Sequence, residues 1–194
     1  MRNMEKQDIK NKIKTAMKSE TILEKLNLTK HEYNVEIHNY KNYFSSCFVL
    51  DSDNPDAYNN YGVFLCSQKR YAEADKHFQL ALAQPEYIRM DDTYENGAVC
   101  AIQAGNKAKA AEYYDLALGY SPSRGKLLLE AADLALSMNN TGKAAGYLQR
   151  YSKGGKNTPQ SLWLHLELAQ TQGELAELHK FGNELVQQFP KSDQ

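Results

Sequence analysis

A recurring pattern of small and bulky residues constrains this chain more than any other feature of its sequence. The pattern returns after 36 residues, from Ala74 to Ala110, and again after 34, from Ala110 to Ala144. In each copy a bulky side chain follows the alanine by four residues, at Phe78, Tyr114 and Leu148. Residues four apart lie on one face of an α-helix, and periods of this length indicate small units that stack on their neighbours. The sequence therefore predicts a row of repeated helical units.

Each unit is predicted to consist of two helices joined by a short turn. The turn sequences are SQKR, AGNK, NNTG and TQGE, which are rich in residues that favour chain reversal. None of the five prolines interrupts a predicted helix, where a missing N–H and a fixed φ would be costly. The predicted helices are 56–68, 71–83, 92–104, 107–119, 126–138, 141–152, 159–171 and 174–188.

Small residues recur where the two helices of a unit are expected to face each other. Small side chains let two helices approach closely, and Tyr or Phe three or four positions away would fill the remaining space. The aromatic spacing between residues 58 and 78 is therefore interpreted as packing and not as a binding site. The small residues are Gly62, Ala74, Ala98, Ala110, Ala132 and Ala144.

A period of about 34 residues is typical of tetratricopeptide repeats, each of which is an antiparallel helix pair. We therefore expect an all-α fold, a right-handed tetratricopeptide-repeat superhelix, which is an α-solenoid of antiparallel helix pairs. Residues 51–194 are predicted to form this domain, with about four helix pairs. Residues 1–50 are predicted to form a divergent N-terminal helical segment that ends in a degenerate repeat.

The first thirty residues place Ile9, Ile13 and Met17 at steps of four among many lysines, which is the pattern of a weakly amphipathic basic helix. Such a helix is interpreted as a cap over the end of the solenoid. Attachment to a membrane surface is the alternative. Neither a secretory signal peptide nor a membrane span is indicated anywhere in the sequence.

Composition and motifs exclude several classes of function. The formal charge is −1, which gives no general attraction to nucleic acid. Phosphate-binding loops, nucleophile elbows and zinc motifs are missing from the sequence, so we expect no enzyme activity, no small-molecule substrate, no cofactor and no metal. An enzyme with carboxylates such as Asp133 and Glu167 at its active site is the less favoured alternative.

The chain has three cysteines, Cys47, Cys66 and Cys100, far apart in sequence. An odd number at these separations argues against a disulfide framework and against a zinc site. The sequence therefore predicts small buried thiols.

The first helix of each pair is expected to line the concave side of the superhelix. The fifth, ninth and twelfth positions of each repeat give a mixed apolar and acidic surface for a protein partner. Because the fifth positions hold no lysine, a clamp for a C-terminal carboxylate is not expected. Trp163 is interpreted either as a binding anchor or as a core residue. The predicted contact residues are Asn59, Val63, Glu95, Ile102, Leu129, Asp133 and Trp163.

Several longer segments carry a more specific resemblance. They are NNYGVFLCSQKRY, PEYIRMDDTYENGA, LLLEAADL and YSKGGKNTPQSLWL, which generic repeats would not share. Over roughly residues 51–190 the chain resembles the type IV pilus biogenesis and stability lipoproteins, the pilotins of the PilF/PilW kind. That resemblance implies a non-enzymatic scaffold that binds the outer-membrane secretin and promotes its localisation and assembly. It also implies a lipid-tethered protein on the periplasmic face of the outer membrane.

Residues 1–50 depart from that family. Family members begin with an export signal that ends in a lipid-modified cysteine, whereas Cys47 has no such context. As it stands, the sequence predicts a cytoplasmic chain, with membrane association only through a lipid anchor that it does not contain. A cytosolic tetratricopeptide-repeat adaptor or secretion chaperone is therefore the alternative function.

Overall fold

The computed structural model describes Asn42 and residues 53–190, and residues 53–190 form eight α-helices with no β-strand. The all-α prediction is confirmed for this part of the chain. The predicted basic helix and degenerate repeat in residues 1–50 lie outside the described residues, apart from Asn42. The helices are α1 (Pro55–Ser67), α2 (Tyr71–Leu82), α3 (Met90–Gln103), α4 (Lys107–Tyr120), α5 (Gly125–Ser137), α6 (Thr141–Ser152), α7 (Pro159–Gln172) and α8 (Leu175–Gln188).

The helix boundaries agree with the predicted ones to within about two residues. Helix starts follow from local chemistry, since Asn54, Asn106 and Asn140 each accept a hydrogen bond from a backbone N–H in the first turn that follows. Helix α7 begins with a capping box between Thr158 and Ser161. These caps fix where the helices begin.

All four helix pairs turn through the same backbone conformation. One residue in each turn has a positive φ, and these residues are Lys69, Gly105, Asn139 and Gly173. Their separations repeat the 36- and 34-residue spacing of the sequence. In each turn the next residue donates its N–H to a carbonyl five positions earlier, as in Arg70 to Leu65. This is the Schellman arrangement, which satisfies carbonyl groups at a helix end. The repeat therefore exists in the backbone as well as in the side chains.

The chain divides into two compact units, Met1–Ile88 and Arg89–Gln194. In the described part of the first unit, α1 packs against α2. Phe78 is almost fully buried, and its ring lies so close to Gly62 that a Cβ there would be 2.6 Å from it. Glycine at position 62 therefore permits the close approach of the two helices.

The second unit contains three helix pairs, α3 with α4, α5 with α6 and α7 with α8. Its core consists mainly of alanines, leucines and four buried tyrosines, Tyr113, Tyr114, Tyr147 and Tyr151. The expectation that small residues lie between helices is confirmed in this unit, because the four alanines predicted for it are each 0% exposed. Gly62 and Ala74 are buried in the same way in the first unit. Close helix contact in the second unit is thus a direct consequence of residue size.

The cysteines differ from the prediction. Cys66 and Cys100 are buried as expected, but both are disulfide-bonded, so the prediction of free thiols was wrong for these two. Separation in sequence does not decide separation in space, and an odd count does not prevent disulfide bonding. Cys47 lies outside the described residues.

Candidate partner-binding surface

The first helices of the three pairs in the second unit present equivalent positions. Each contributes three residues at steps of four and three, which place them on one helix face. We call these nine positions the inner face. They are Glu95, Val99 and Ile102 on α3; Leu129, Asp133 and Leu136 on α5; and Trp163, Glu167 and Gln170 on α7.

The predicted contact residues in this unit differ in accessibility. Glu95 and Leu129 are buried, at 6% and 5% exposure, so they support the face from below. Ile102 and Trp163 are 39% and 43% exposed, and Asp133 is exposed as well. Trp163 occupies the position of Leu129 one repeat later, but no further helix pair covers it within residues 53–190. Direct contact with a partner is therefore open to Ile102, Asp133 and Trp163.

The two predicted contact residues of the first unit both lie on α1. Asn59 is buried, with 3% of its surface exposed. Val63 is half-buried. In this unit by itself, Val63 is therefore the more accessible of the two.

An ionic network anchors the inner face where α3 begins. Arg124, just before α5, lies 2.7 Å from both Asp92 and Glu95 and 3.1 Å from Asp91. The Lys126 ammonium lies 2.5 Å from the other oxygen of Glu95. Burial alone would lower the pKa of Arg124, but its carboxylate partners outweigh that effect and raise the pKa. The buried Glu95 carboxylate is thus held by two cations, as a buried charge requires.

A second group of carboxylates surrounds the hydroxyl of Tyr114 on α4. Burial raises the pKa of Tyr114, and the negative charges of Glu130, Glu95 and Asp133 raise it further. The Oε2 atom of Glu130 is buried and accepts no hydrogen bond within the described residues. Helices α3 and α5 therefore bring three acidic side chains close to Tyr114 of α4.

Cations balance only part of this negative charge. Lys126 reaches Glu130 at 3.5 Å in addition to Glu95. Neither Asp133 nor Glu167 forms an ion pair within residues 53–190. The accessible part of the inner face is therefore apolar at α3 and acidic along α5 and α7.

Sequence reasoning missed the residues that organise this surface. Arg124, Lys126 and Glu130 were not predicted, because the repeat positions considered were only the fifth, ninth and twelfth. A signal was present, since the basic segment RGK at 124–126 follows the acidic segment MDD at 90–92 by 34 residues, which is one repeat. Equivalent positions of opposite charge in adjacent repeats are candidates for ion pairs.

The described residues contain no group of three or more His, Cys, Asp or Glu arranged to hold a metal ion. Within the same residues, no helix has the length and apolar character needed to cross a membrane. What the inner face offers chemically is an apolar patch beside unpaired carboxylates, which suits noncovalent binding.

Comparison with known proteins identifies relatives that match most of the chain. The type IV pilus assembly protein PilF of Pseudomonas aeruginosa is 30% identical over 149 residues, which cover 77% of this chain and 59% of PilF. The chain thus spans less than two thirds of the length of that relative. The solved structure of Pseudomonas aeruginosa PilF matches with a TM-score of 0.66 and 28% identity, over 82% of this chain and 72% of that one. No family model matches the chain.

Two further solved structures share the fold. PilW, a type IV pilus biogenesis factor, matches with a TM-score of 0.72 and 24% identity, over 100% of this chain and 91% of that one. YrrB, a tetratricopeptide-repeat protein with a peptide-binding site, matches with a TM-score of 0.65 and 12% identity, over 91% of this chain and 86% of that one. At these identities the likeness extends to the fold alone, and it confirms the tetratricopeptide-repeat class.

Proposed function

Because this chain is a tetratricopeptide-repeat homologue of the type IV pilus assembly protein PilF, we propose that it is a non-enzymatic, protein-binding scaffold in type IV pilus biogenesis. The observation that carries the proposal is the 30% identity to PilF over 77% of the chain. We propose the outer-membrane secretin of the pilus as its partner and promotion of secretin localisation and assembly as its action. The contact residues of the chain in this proposal are the seven predicted from the sequence: Asn59, Val63, Glu95, Ile102, Leu129, Asp133 and Trp163.

The physical basis of this function is a preformed binding surface. Helices held together by buried alanines and leucines present side chains in fixed positions. A partner segment that binds such a surface loses its own freedom, but the scaffold loses little. Binding free energy alone is then sufficient to hold a secretin segment, and no covalent step is required.

Retention of the secretin on the immobilised chain tests this proposal. We expect the folded chain to retain solubilised secretin at low salt and to release it as salt is raised, since the accessible surface is partly ionic. YrrB is a suitable control because it shares the fold at only 12% identity. If helical, correctly folded chain retains no more secretin than YrrB does, the secretin proposal is wrong.

We also propose the periplasmic face of the outer membrane as the location of the protein. Disulfides persist in oxidising compartments such as the periplasm and are rare in the cytosol. The disulfide bonding of Cys66 and Cys100 supports the periplasmic location over that of a cytosolic adaptor. Any lipid anchor is an inference from the resemblance to pilotins alone.

Thiol labelling of protein denatured directly from cells separates the two locations. Because Cys66 and Cys100 are buried in the folded chain, denaturation is needed to make them accessible. We then expect both to react with a maleimide only after reduction, and single Cys→Ser variants to identify each labelled site. Loss of disulfide bonding should lower the free energy of unfolding by about 2–4 kcal/mol. Labelling of both cysteines before reduction, in protein at its native expression level, would favour the cytosolic alternative.

A further inference from the structure

We infer that the inner face of the second unit binds a partner segment in which apolar side chains lie beside Lys or Arg. The inference rests on the proposed scaffold function and adds the chemical character of the partner. Its basis is the way apolar and charged groups are distributed over α3, α5 and α7. Each part of this surface favours a different chemical group in the partner.

The apolar demand comes from the second half of α3. Val99 and Ile102 are each 39% exposed and lie one helical turn apart. Leu136, at the equivalent position on α5, is partly buried against the core. A partner side chain that covers Val99 and Ile102 removes apolar surface from water, and this favours Leu, Ile, Val or an aromatic residue.

The demand for positive charge comes from α5 and α7. Asp133 and Glu167 occupy equivalent positions on these neighbouring helices, which pack against each other. Neither forms an ion pair in the described chain, while the nearby Glu130 carboxylate shares Lys126 with Glu95. A Lys or Arg of a partner is attracted to this excess negative charge, and an acidic segment is repelled by it.

Trp163 supplies the third contact. It is 43% exposed on the first turns of α7, four residues before Glu167. An exposed indole beside a carboxylate accommodates both parts of such a segment, since a cation or an apolar group packs well against its face. Because the chain contains a single tryptophan, its fluorescence reports directly on this surface.

Synthetic peptides test the inference without the secretin. The probes are a short peptide in which Leu alternates with Lys, a second in which Glu replaces every Lys, and a third in which Ser replaces every Leu. We expect the Leu–Lys peptide to bind the full chain at least about tenfold more tightly than either other peptide. We also expect it to shift the emission of Trp163 and to bind more weakly as salt is raised.

Variants locate the site. Combining Asp133→Asn with Glu167→Gln should weaken binding of the Leu–Lys peptide by about three- to tenfold. The matched control combines Glu112→Gln with Glu174→Gln, which removes two exposed carboxylates outside the inner face and should leave binding unchanged. Circular dichroism verifies that both variants remain helical. Ile102→Ser tests the apolar part in the same assay.

The outcomes separate this inference from the secretin proposal. Equal binding of the Leu–Glu peptide, or equal losses in the two double variants, would overturn the inference. So would retention of secretin by Asp133→Asn with Glu167→Gln at the level of the unsubstituted chain, although the proposed function would then stand. Specific binding of the Leu–Lys peptide without any retention of secretin would support the surface and contradict the secretin as partner.

Discussion

The central helices α3–α6 and the last pair α7 and α8 repeat one motif but are stabilised differently. Helix α5 has seven buried residues and contacts helices on both sides, whereas Leu185 is the single buried residue of α8. Exposed apolar residues on α8 include Leu175 and Val186, at 68% and 70%. The comparison teaches that a helix pair gains much of its stability from its neighbours, as expected for repeat proteins.

Charged contacts follow the same division. In the centre, Arg124 and Lys126 connect α5 to α3, and Lys143 connects α6 to Asp115 on α4 at 2.6 Å. The ion pair of the last pair, between Lys180 and Glu177, joins residues of one exposed helix turn. The central contacts link different helices, while the Lys180 pair does not.

Deleting a central apolar side chain should have the largest effect. Leu127 is 0% exposed in the core of the second unit, so Leu127→Ala should lower the free energy of unfolding by about 3 kcal/mol. Val186→Ala, at an exposed site of α8, should change it by less than about 0.5 kcal/mol. Urea unfolding followed by circular dichroism measures both. Equal losses would contradict the proposed difference between the regions.

Removal of Arg124 should have the next largest effect. Arg124→Ala leaves buried Glu95 with Lys126 alone and removes the cation shared by Asp91 and Asp92, so we expect a loss of about 2 kcal/mol. The same unfolding measurement on Lys180→Ala is the control. Its solvent-exposed pair should contribute less than about 1 kcal/mol. A negligible effect of Arg124→Ala would show that the ionic network does not stabilise the packing of α5 beside α3.

Hydrogen exchange sharpens the comparison without any substitution. Amide protons in the middle of α8 should exchange at least about tenfold faster than those of α5, because among the described helices α8 packs against α7 alone. Mass spectrometry of peptides from the two helices measures the ratio. Protection of α8 equal to that of α5 would mean that the last pair opens only with the whole unit.

The smallest expected effect is a change in stability with pH, which arises from His165 in the last helix pair. Burial lowers the pKa of His165, which stacks on Phe181 with centroids 4.3 Å apart, and Lys180 lowers it further. The unfolded chain therefore binds a proton at this site more readily than the folded one. Neutral His165 therefore stabilises the fold fully at pH values above the ordinary histidine pKa of 6.5. This part of the free energy of unfolding is lost as the pH falls below that value.

His165→Gln removes this titration, so its melting temperature should fall less between pH 8 and pH 5.5 than that of the unsubstituted chain. Thermal melts at the two pH values measure the difference. An equal fall in both proteins would show that other groups account for the acid sensitivity.

Much of the helical array could be predicted from the sequence because its signals are local. Turn sequences, capping residues and the spacing of Ala110 and Ala144 each depend on a few neighbouring residues. The cross-helix contacts could not be predicted in this way. The partners of Arg124 lie about thirty residues away in the sequence. Leu129 is buried and Trp163 is exposed although they hold equivalent positions, because their accessibility depends on the neighbouring helix pairs and not on local sequence.

The turns that join the helices of each pair have a consequence for how residue identity relates to backbone shape. Lys69 adopts a left-handed conformation with φ of 60°, where two equivalent turns use glycine. A side chain there costs on the order of 1 kcal/mol, and the surrounding hairpin must compensate for it. Lysine, asparagine and glycine thus all occupy the same turn in one chain, so the identity of this residue alone does not mark where a helix pair reverses. Replacing Lys69 with glycine would remove that conformational cost and leave the reversal itself intact.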